Sequence, residues 1–355
     1  MVIKDQAGPI RSGEELDRGR LEAYLKQALP DMAGELVIEQ FPRGFSNLTY
    51  LLRLGQRQLV LRRPPHGTKA KSAHDMGREF RVLSALQGVF PYCPRPLVFC
   101  QDHAVMDCDF YVMDRLQGLI IRKQVPPELN LSPEQMGRLC RHLLEVQLEL
   151  HGIDYQAVGL GDFGKPEGYV ERQVLGWSQR YRAARTPDAP DYEWVMGWLA
   201  EHMPPDCKRP AIIHNDFKLD NVVLDPTEPT RVIGVLDWEM ATVGDPLMDL
   251  GNSLAYWVQA DDPPELIQIA SVPTHLPGAL SRREIMQLYA QKSGLALEGF
   301  GYYYCFGLFR LAVIAQQIYY RYYHGQTKDQ RFAGLVTAVQ VLERASRRAI
   351  ENSSS

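Results

Sequence analysis

The sequence predicts an α+β chain in two lobes, a small antiparallel sheet followed by a larger, mainly helical region. Three observations predict it. Strand patterns at residues 36–41, 48–54 and 58–63 follow one another through short links, which favours antiparallel pairing. Helix patterns with capping signals dominate the second half of the chain. Between them, two short apolar runs at 222–224 and 232–236 flank a proline-bearing turn and read as a hairpin-like pair. At 355 residues the chain is long enough for two cores, and it contains no internal repeat.

Composition narrows the function. Hydrophobic residues make up 45% and charged residues 23%, an ordinary globular balance. A formal net charge of −4 leaves no electrostatic footprint for nucleic acid. The six cysteines are scattered without a C-x-x-C pair, so neither a structural zinc site nor a disulfide framework is expected, and a reducing, cytoplasmic compartment is. The first residues are too polar for a signal peptide. The most apolar helix pattern, 302–320, carries Arg310, Gln316 and Gln317 and reads as a buried core helix, so no membrane association is expected.

Ser12-Gly-Glu-Glu15 reads as a capping box opening a helix that ends before Pro30. After the first strand, Gly44, Phe45, Ser46 and Asn47 form a link whose small and polar residues suit backbone N–H groups folded over phosphates. Residues 74–87 carry Met76, Phe80, Leu83 and Leu86 on one helical face. Strands at 97–101 and 110–114 complete a sheet of about five. Ser132-Pro133-Glu134-Gln135 opens a long helix with an N-cap, a proline at the first helical position and a capping-box glutamine. His151-Gly152 ends it, and His151 reads as a helix-end residue.

Gly159-Leu-Gly161-Asp-Phe-Gly164 imitates a dinucleotide fingerprint. It follows a helix rather than a strand, so it reads as a glycine-rich loop. Residues 168–200 are rich in Trp, Tyr and Arg. Arg172, Arg180 and Arg185 are candidates to meet an anionic acceptor, against the plainer reading of a solvated helix face. Ser281-Arg-Arg-Glu284 caps a further helix. Two more, at 302–324 and 329–351, close the chain.

The chemistry centres on His214-Asn-Asp216-Phe-Lys-Leu-Asp-Asn221 and on Asp237 at the end of the second apolar run. The hairpin lets two hard oxygen ligands, Asn221 and Asp237, converge on a divalent cation, and Mg²⁺ is usually held by one or two carboxylates plus substrate phosphates. Asp216, ahead of the first strand, is available to orient an attacking hydroxyl or accept its proton. Lys218 stands two residues further on, able to neutralise a phosphate or to lie exposed.

These residues, with Gly244-Asp245-Pro246 and Asp249, resemble the aminoglycoside phosphotransferase family, whose members share the protein-kinase-like fold. The resemblance runs from about residue 36 through the C-terminal helices. It implies an N-terminal nucleotide-binding lobe at 1–113, a hinge at 114–117 and a C-terminal lobe at 118–355. By the same resemblance Asp216, Asn221 and Asp237 are catalytic, and Asn221 and Asp237 hold Mg²⁺. ATP is cradled by Gly44, Phe45, Ser46 and Asn47, with Met113, Asp114 and Leu116 beside the adenine. Arg62 occupies the position of the usual strand lysine, where a guanidinium can still fork onto phosphates, and Glu79 would pair with it. Asp249 would brace the catalytic loop.

The implied activity is ATP-dependent phosphoryl transfer to a hydroxyl of a small molecule. The alternative is a catalytically weak nucleotide-binding or scaffold module, which Arg62 favours and the intact Asp216, Asn221 and Asp237 oppose. His66-Gly67 after Arg-Arg-Pro-Pro, with His74 and Arg78-Glu79, resembles the branch related to domains joined to acyl-CoA dehydrogenases. That likeness points to a hydroxyacyl-CoA or related acceptor.

Overall fold

Alternation along the first strands decides the N-terminal architecture. A computed structural model describes residues 6–42, 47–65 and 75–353. Helix α1 (Arg18–Ala28) leads into strands β1 (Leu36–Gln40), β2 (Leu48–Leu54) and β3 (Arg57–Arg63). Helix α2 (Met76–Leu86), β4 (Pro96–Cys100) and β5 (Phe110–Asp114) follow. All pairings are antiparallel, in the order β1-β2-β3-β5-β4. Successive side chains of a strand point to opposite faces. Leu59 and Leu61 of β3 therefore join Tyr50, Leu52, Phe110 and Val112 in a core closed by Leu21 and Leu25 of α1. Arg62 falls on the opposite face, where α2 packs and where Phe80 stacks on Phe99 at 5.5 Å.

The opening helix begins later than its capping box predicts. Gly13 turns the chain at φ 86°, and Glu15 accepts from the Gly13 N–H. Asp17 then caps α1, its carboxylate accepting from Arg20 N at 3.0 Å. Helix α2 is capped in the same way by Asp75.

The remaining elements are α3 (Pro133–His151), α4 (Tyr169–Ala184), α5 (Glu193–Glu201), β6 (Ala211–Ile213), β7 (Val222–Leu224), β8 (Val232–Val235), β9 (Thr242–Gly244), α6 (Pro246–Tyr256), α7 (Pro264–Gln268), α8 (Arg282–Ser293), α9 (Gly301–Tyr323) and α10 (Leu335–Ser353). Both capping boxes, Ser132 with Gln135 and Ser281 with Glu284, form as expected. The last helix starts after a 3-10 turn at Gln330–Phe332, which Asp329 caps instead. No described helix is long and apolar enough to cross a membrane.

The chain divides into two compact units. The first is Met1–Ile120 with Asn221–Ala241, and the second is Ile121–Asp220 with Thr242–Ser355. The β7–β8 hairpin belongs to the first because its strands bond there. Val235 N donates to Tyr92 O at 2.7 Å, and Leu119 and Leu224 exchange backbone hydrogen bonds at 2.8 and 2.9 Å. Gly118 permits that approach, since a Cβ there would sit 2.3 Å from Leu224 O.

In the second unit, α6 and α9 cross at a glycine pair. A Cβ at Gly307 would meet Gly251 O at 2.3 Å, and one at Gly251 would meet Tyr303 O at 2.3 Å. The backbones touch where side chains normally intervene. Gly307→Ala is therefore expected to lower the unfolding free energy by about 1–3 kcal/mol through overpacking. Urea unfolding checks this, and an unchanged midpoint contradicts it.

Candidate active site

In the first unit, a buried guanidinium draws three acidic side chains together. Arg62 Nη1 lies 2.8 Å from Glu79 Oε1, and Arg62 Nη2 lies 2.9 Å from Asp237 Oδ1 and 3.7 Å from Glu239 Oε2. Asn47 Nδ2 donates to Glu239 Oε2 at 2.8 Å. Arg62 is 7% exposed and Glu79 1%. Burial alone would lower the arginine's pKa, but Glu79, Tyr111, Asp237 and Glu239 hold it well above its ordinary value. Burial pushes the Glu79 carboxyl up, against the pull of Arg62. Sequence reasoning expected Arg62, Glu79 and Asp237 but not Glu239, two residues beyond Asp237.

The hairpin brings Asn221 and Asp237 to one end. Val222 pairs with Val235, and Leu236 N donates to Asn221 O at 2.8 Å. Asp237 then takes a left-handed conformation at φ 66°, an uncommon state for a non-glycine residue. A carboxylate and an amide oxygen are hard donors and fit Mg²⁺ completed by phosphates and water. Among the described residues no group of three or more His, Cys, Asp or Glu side chains is placed to hold a metal.

Met113 is buried and pairs with Val60. Asp114 pairs with Leu59 in the sheet, and its carboxylate is taken by Arg57. The N–H groups of Asp114 and Arg115 donate to Arg95 O and Gln58 O. Leu116 packs closely on Gly234, where a Cβ would meet it at 2.1 Å. Gly44, Phe45 and Ser46 lie outside the described residues, as do His66, Gly67 and His74.

In the second unit, a stripe on α6 holds the loop that carries Asp216. Asp245 caps the helix, accepting from Leu247 N at 2.8 Å, and Pro246 is the first helical residue. Asp249, fully buried, accepts from Asn215 N at 2.5 Å and His214 N at 3.2 Å. His151 Nε2 lies 3.0 Å from the same carboxylate, and Gln147 Nε2 donates to it at 3.2 Å. Burial would raise the Asp249 carboxyl, but His151, His214 and Gln147 together keep it below its ordinary value. His151 is thus a buried partner of Asp249 as well as a helix-end residue, held on its other side by Tyr289 at 2.8 Å.

Asn215 adopts φ 64°, and its amide is fixed by Tyr169 and Asn252. Asp216 Oδ2 lies 3.0 Å from Lys218 Nζ, and Asp216 Oδ1 accepts from Tyr256 OH at 3.1 Å. Burial would lower the Lys218 pKa, but the carboxylates of Asp216 and Asp220 beside it raise it, so the ammonium stays charged. A pocket adjoins this loop. Leu143, Leu144, Leu254, Trp257 and Ile285 make its wall mainly apolar, and Lys218 and Tyr256 also line it.

The remaining motif residues have structural work. Gly164 allows β9 to approach, since a Cβ would lie 2.4 Å from Val243 O. Arg172 donates to the carbonyls of Lys165 and Glu167. Arg180 lies over the Trp177 ring at 4.8 Å, and buried Arg310 lies over the same ring at 5.1 Å. Arg185 is exposed.

This fold is kinase-like. A model of the phosphotransferase enzyme family matches residues 37–282, and the chain belongs to that family. Acyl-CoA dehydrogenase family member 10 of Mus musculus is 36% identical over 324 residues, covering 90% of this chain and 30% of that protein. The chain spans less than half the length of the curated relatives it matches. A crystal structure from Ralstonia eutropha JMP134, assigned to the aminoglycoside phosphotransferases, aligns with a TM-score of 0.81 and 30% identity. It covers 95% of this chain and 99% of its own. Choline kinase from Cryptosporidium parvum shares the fold at a TM-score of 0.65 and 9% identity, over 95% of this chain and 97% of its own.

Arg62→Ala would leave Glu79 buried beside Asp237 with no cation between them. The substitution is expected to destabilise the chain by about 3–5 kcal/mol, the usual effect of breaking a buried pair from one side. Chemical denaturation measures it, and a loss below about 1 kcal/mol would contradict the pairing's role.

Proposed function

We propose that the chain is an ATP- and Mg²⁺-dependent kinase that transfers the γ-phosphate to a hydroxyl of a small-molecule acceptor. The observation that carries this reading is the double engagement of Arg62 with Glu79 and Asp237. It joins a phosphate-binding cation to a metal-ligand candidate on rigid elements. Asn221 and Asp237 would hold Mg²⁺, which when bound supplies charge neutralisation between phosphates. Arg62 binds phosphate oxygens, kept in place by Glu79. The backbone around Met113, Asp114 and Leu116 receives adenine. Asp216 orients the acceptor hydroxyl and takes its proton late in transfer. Lys218 sits beside it with a stable positive charge, suited to the phosphoryl oxygens.

For the acceptor we favour a hydroxyacyl-CoA or a related metabolite. Two observations support it. A mainly apolar pocket adjoins Lys218 and Tyr256, and the matched relatives are named as acyl-CoA dehydrogenase family members.

Incubation of a hydroxylated metabolite library with Mg·ATP, followed by mass detection of phosphorylated products, identifies the acceptor. Asp216→Asn is expected to lower kcat by about 10²–10⁴-fold with nucleotide affinity kept. Turnover at the wild-type rate would remove Asp216 from the mechanism. Asp237→Ala is expected to abolish the Mg²⁺ dependence of nucleotide binding in calorimetric titration, and unchanged binding rejects it as a ligand. A nucleotide at 100 times its Kd stabilises a protein by about 2.7 kcal/mol. Such a thermal shift without turnover on any acceptor favours the weakly catalytic module instead.

A further inference from the structure

Residues 249, 252, 253 and 256 form a polar stripe on helix α6, and Asp249, Asn252 and Tyr256 of that stripe grip the Asp216 loop. That spacing of i, i+3, i+4 and i+7 lines one face of a helix. The contacts advance in step. Asp249 takes the backbone N–H groups of His214 and Asn215. Asn252 donates to Asn215 Oδ1 at 3.2 Å. One turn further on, Tyr256 donates its hydroxyl to Asp216 Oδ1 at 3.1 Å. Only this last contact reaches a carboxylate assigned to the reaction.

We propose that Tyr256 is a positioning residue for phosphoryl transfer, fixing the rotation of the Asp216 carboxylate by holding one oxygen while Lys218 holds the other. The inference rests on the kinase reading. An ionised carboxylate offers about four lone-pair positions. Contacts on both oxygens, from Tyr256 and from Lys218, set the rotation of the group. Lys218 alone would do this poorly, because its ammonium also reaches Asp220 at 3.9 Å and swings on a flexible stem. The aromatic ring of Tyr256 restrains that stem, since Lys218 Nζ lies 4.5 Å from the ring centroid. Tyr256 is 8% exposed. Burial, reinforced by Asp216, pushes its phenol up to about 12 against the opposing charges of Lys218 and Arg310. The hydroxyl therefore keeps its proton and remains a donor across the physiological range.

Tyr256→Phe removes the hydroxyl and keeps the ring, so the lysine contact and the fold are retained. The test is steady-state ADP release from Mg·ATP with a 3-hydroxyacyl-CoA and with water as acceptors, alongside nucleotide titration and thermal melting. Loss of alignment in the transition state lowers kcat and kcat/KM together. The variant is expected to lose about ten- to a hundredfold in both. KM for ATP, binding stoichiometry and Tm should stay at the wild-type values. That split separates positioning from structural support, which would lower Tm or the fraction of chains that bind nucleotide. A Tyr256→Phe rate within about twofold of wild type overturns the proposal. A wild-type chain that releases no ADP with either acceptor or with any member of the hydroxylated metabolite library overturns the kinase reading itself and this role with it, and that result is seen before any variant is made.

Discussion

Buried charge must be neutralised where it lies, and in each unit this requirement fixes the residues on which the functional reading depends. In the first, Glu79 is nearly inaccessible and Arg62 is the cation beside it. The guanidinium is planar and forked, so its second nitrogen reaches Asp237 while the first stays on Glu79. A lysine ammonium is a single point of charge and would approach the pair differently. The arginine at this position is thus a bridge between helix α2 and the turn after β8. In the second unit, Asp249 is the inaccessible acid. Its partners are two backbone N–H groups, an amide and an imidazole. Because those N–H groups belong to His214 and Asn215, satisfying Asp249 sets the path of the chain into Asp216.

The same economy explains the strained residues. Asn215 and Asp237 both adopt positive φ without being glycine, a state that survives where the surroundings over-determine it. Asn215 is held by Asp249 through its backbone and by Tyr169 and Asn252 through its side chain. Asp237 follows a strand pinned by Leu236 N to Asn221 O and is tied by its carboxylate to Arg62.

Much of this was legible in the sequence. The five-strand sheet, the two capping boxes and the hairpin follow from local pattern, which turn chemistry and side-chain period determine over a few residues. Asp216, Asn221 and Asp237 stood out because acidic and amide residues adjoined short strand patterns. Partners set by tertiary packing did not. Tyr256 lies 40 positions from Asp216, and only the folded helix brings its hydroxyl to that carboxylate. A signal existed, since Asp249, Asn252, Ser253 and Tyr256 form a polar stripe on an otherwise apolar helix. His151 read as a helix end because its partner, Asp249, is 98 residues away. The Ser12 capping box failed for a local reason, the left-handed turn at Gly13, which a pattern of residue types does not encode.

The proposed kinase activity requires that Asn221 and Asp237 form a metal–nucleotide site with Arg62 at the phosphates. A crystal structure of the chain with Mg²⁺ and a non-hydrolysable ATP analogue tests it most directly. The expected result is a magnesium ion bonded to oxygens of Asn221 and Asp237 at about 2.0–2.1 Å, with the Arg62 guanidinium on phosphate oxygens and still paired to Glu79. A nucleotide bound elsewhere, or a metal that leaves both residues uncoordinated, would contradict the account.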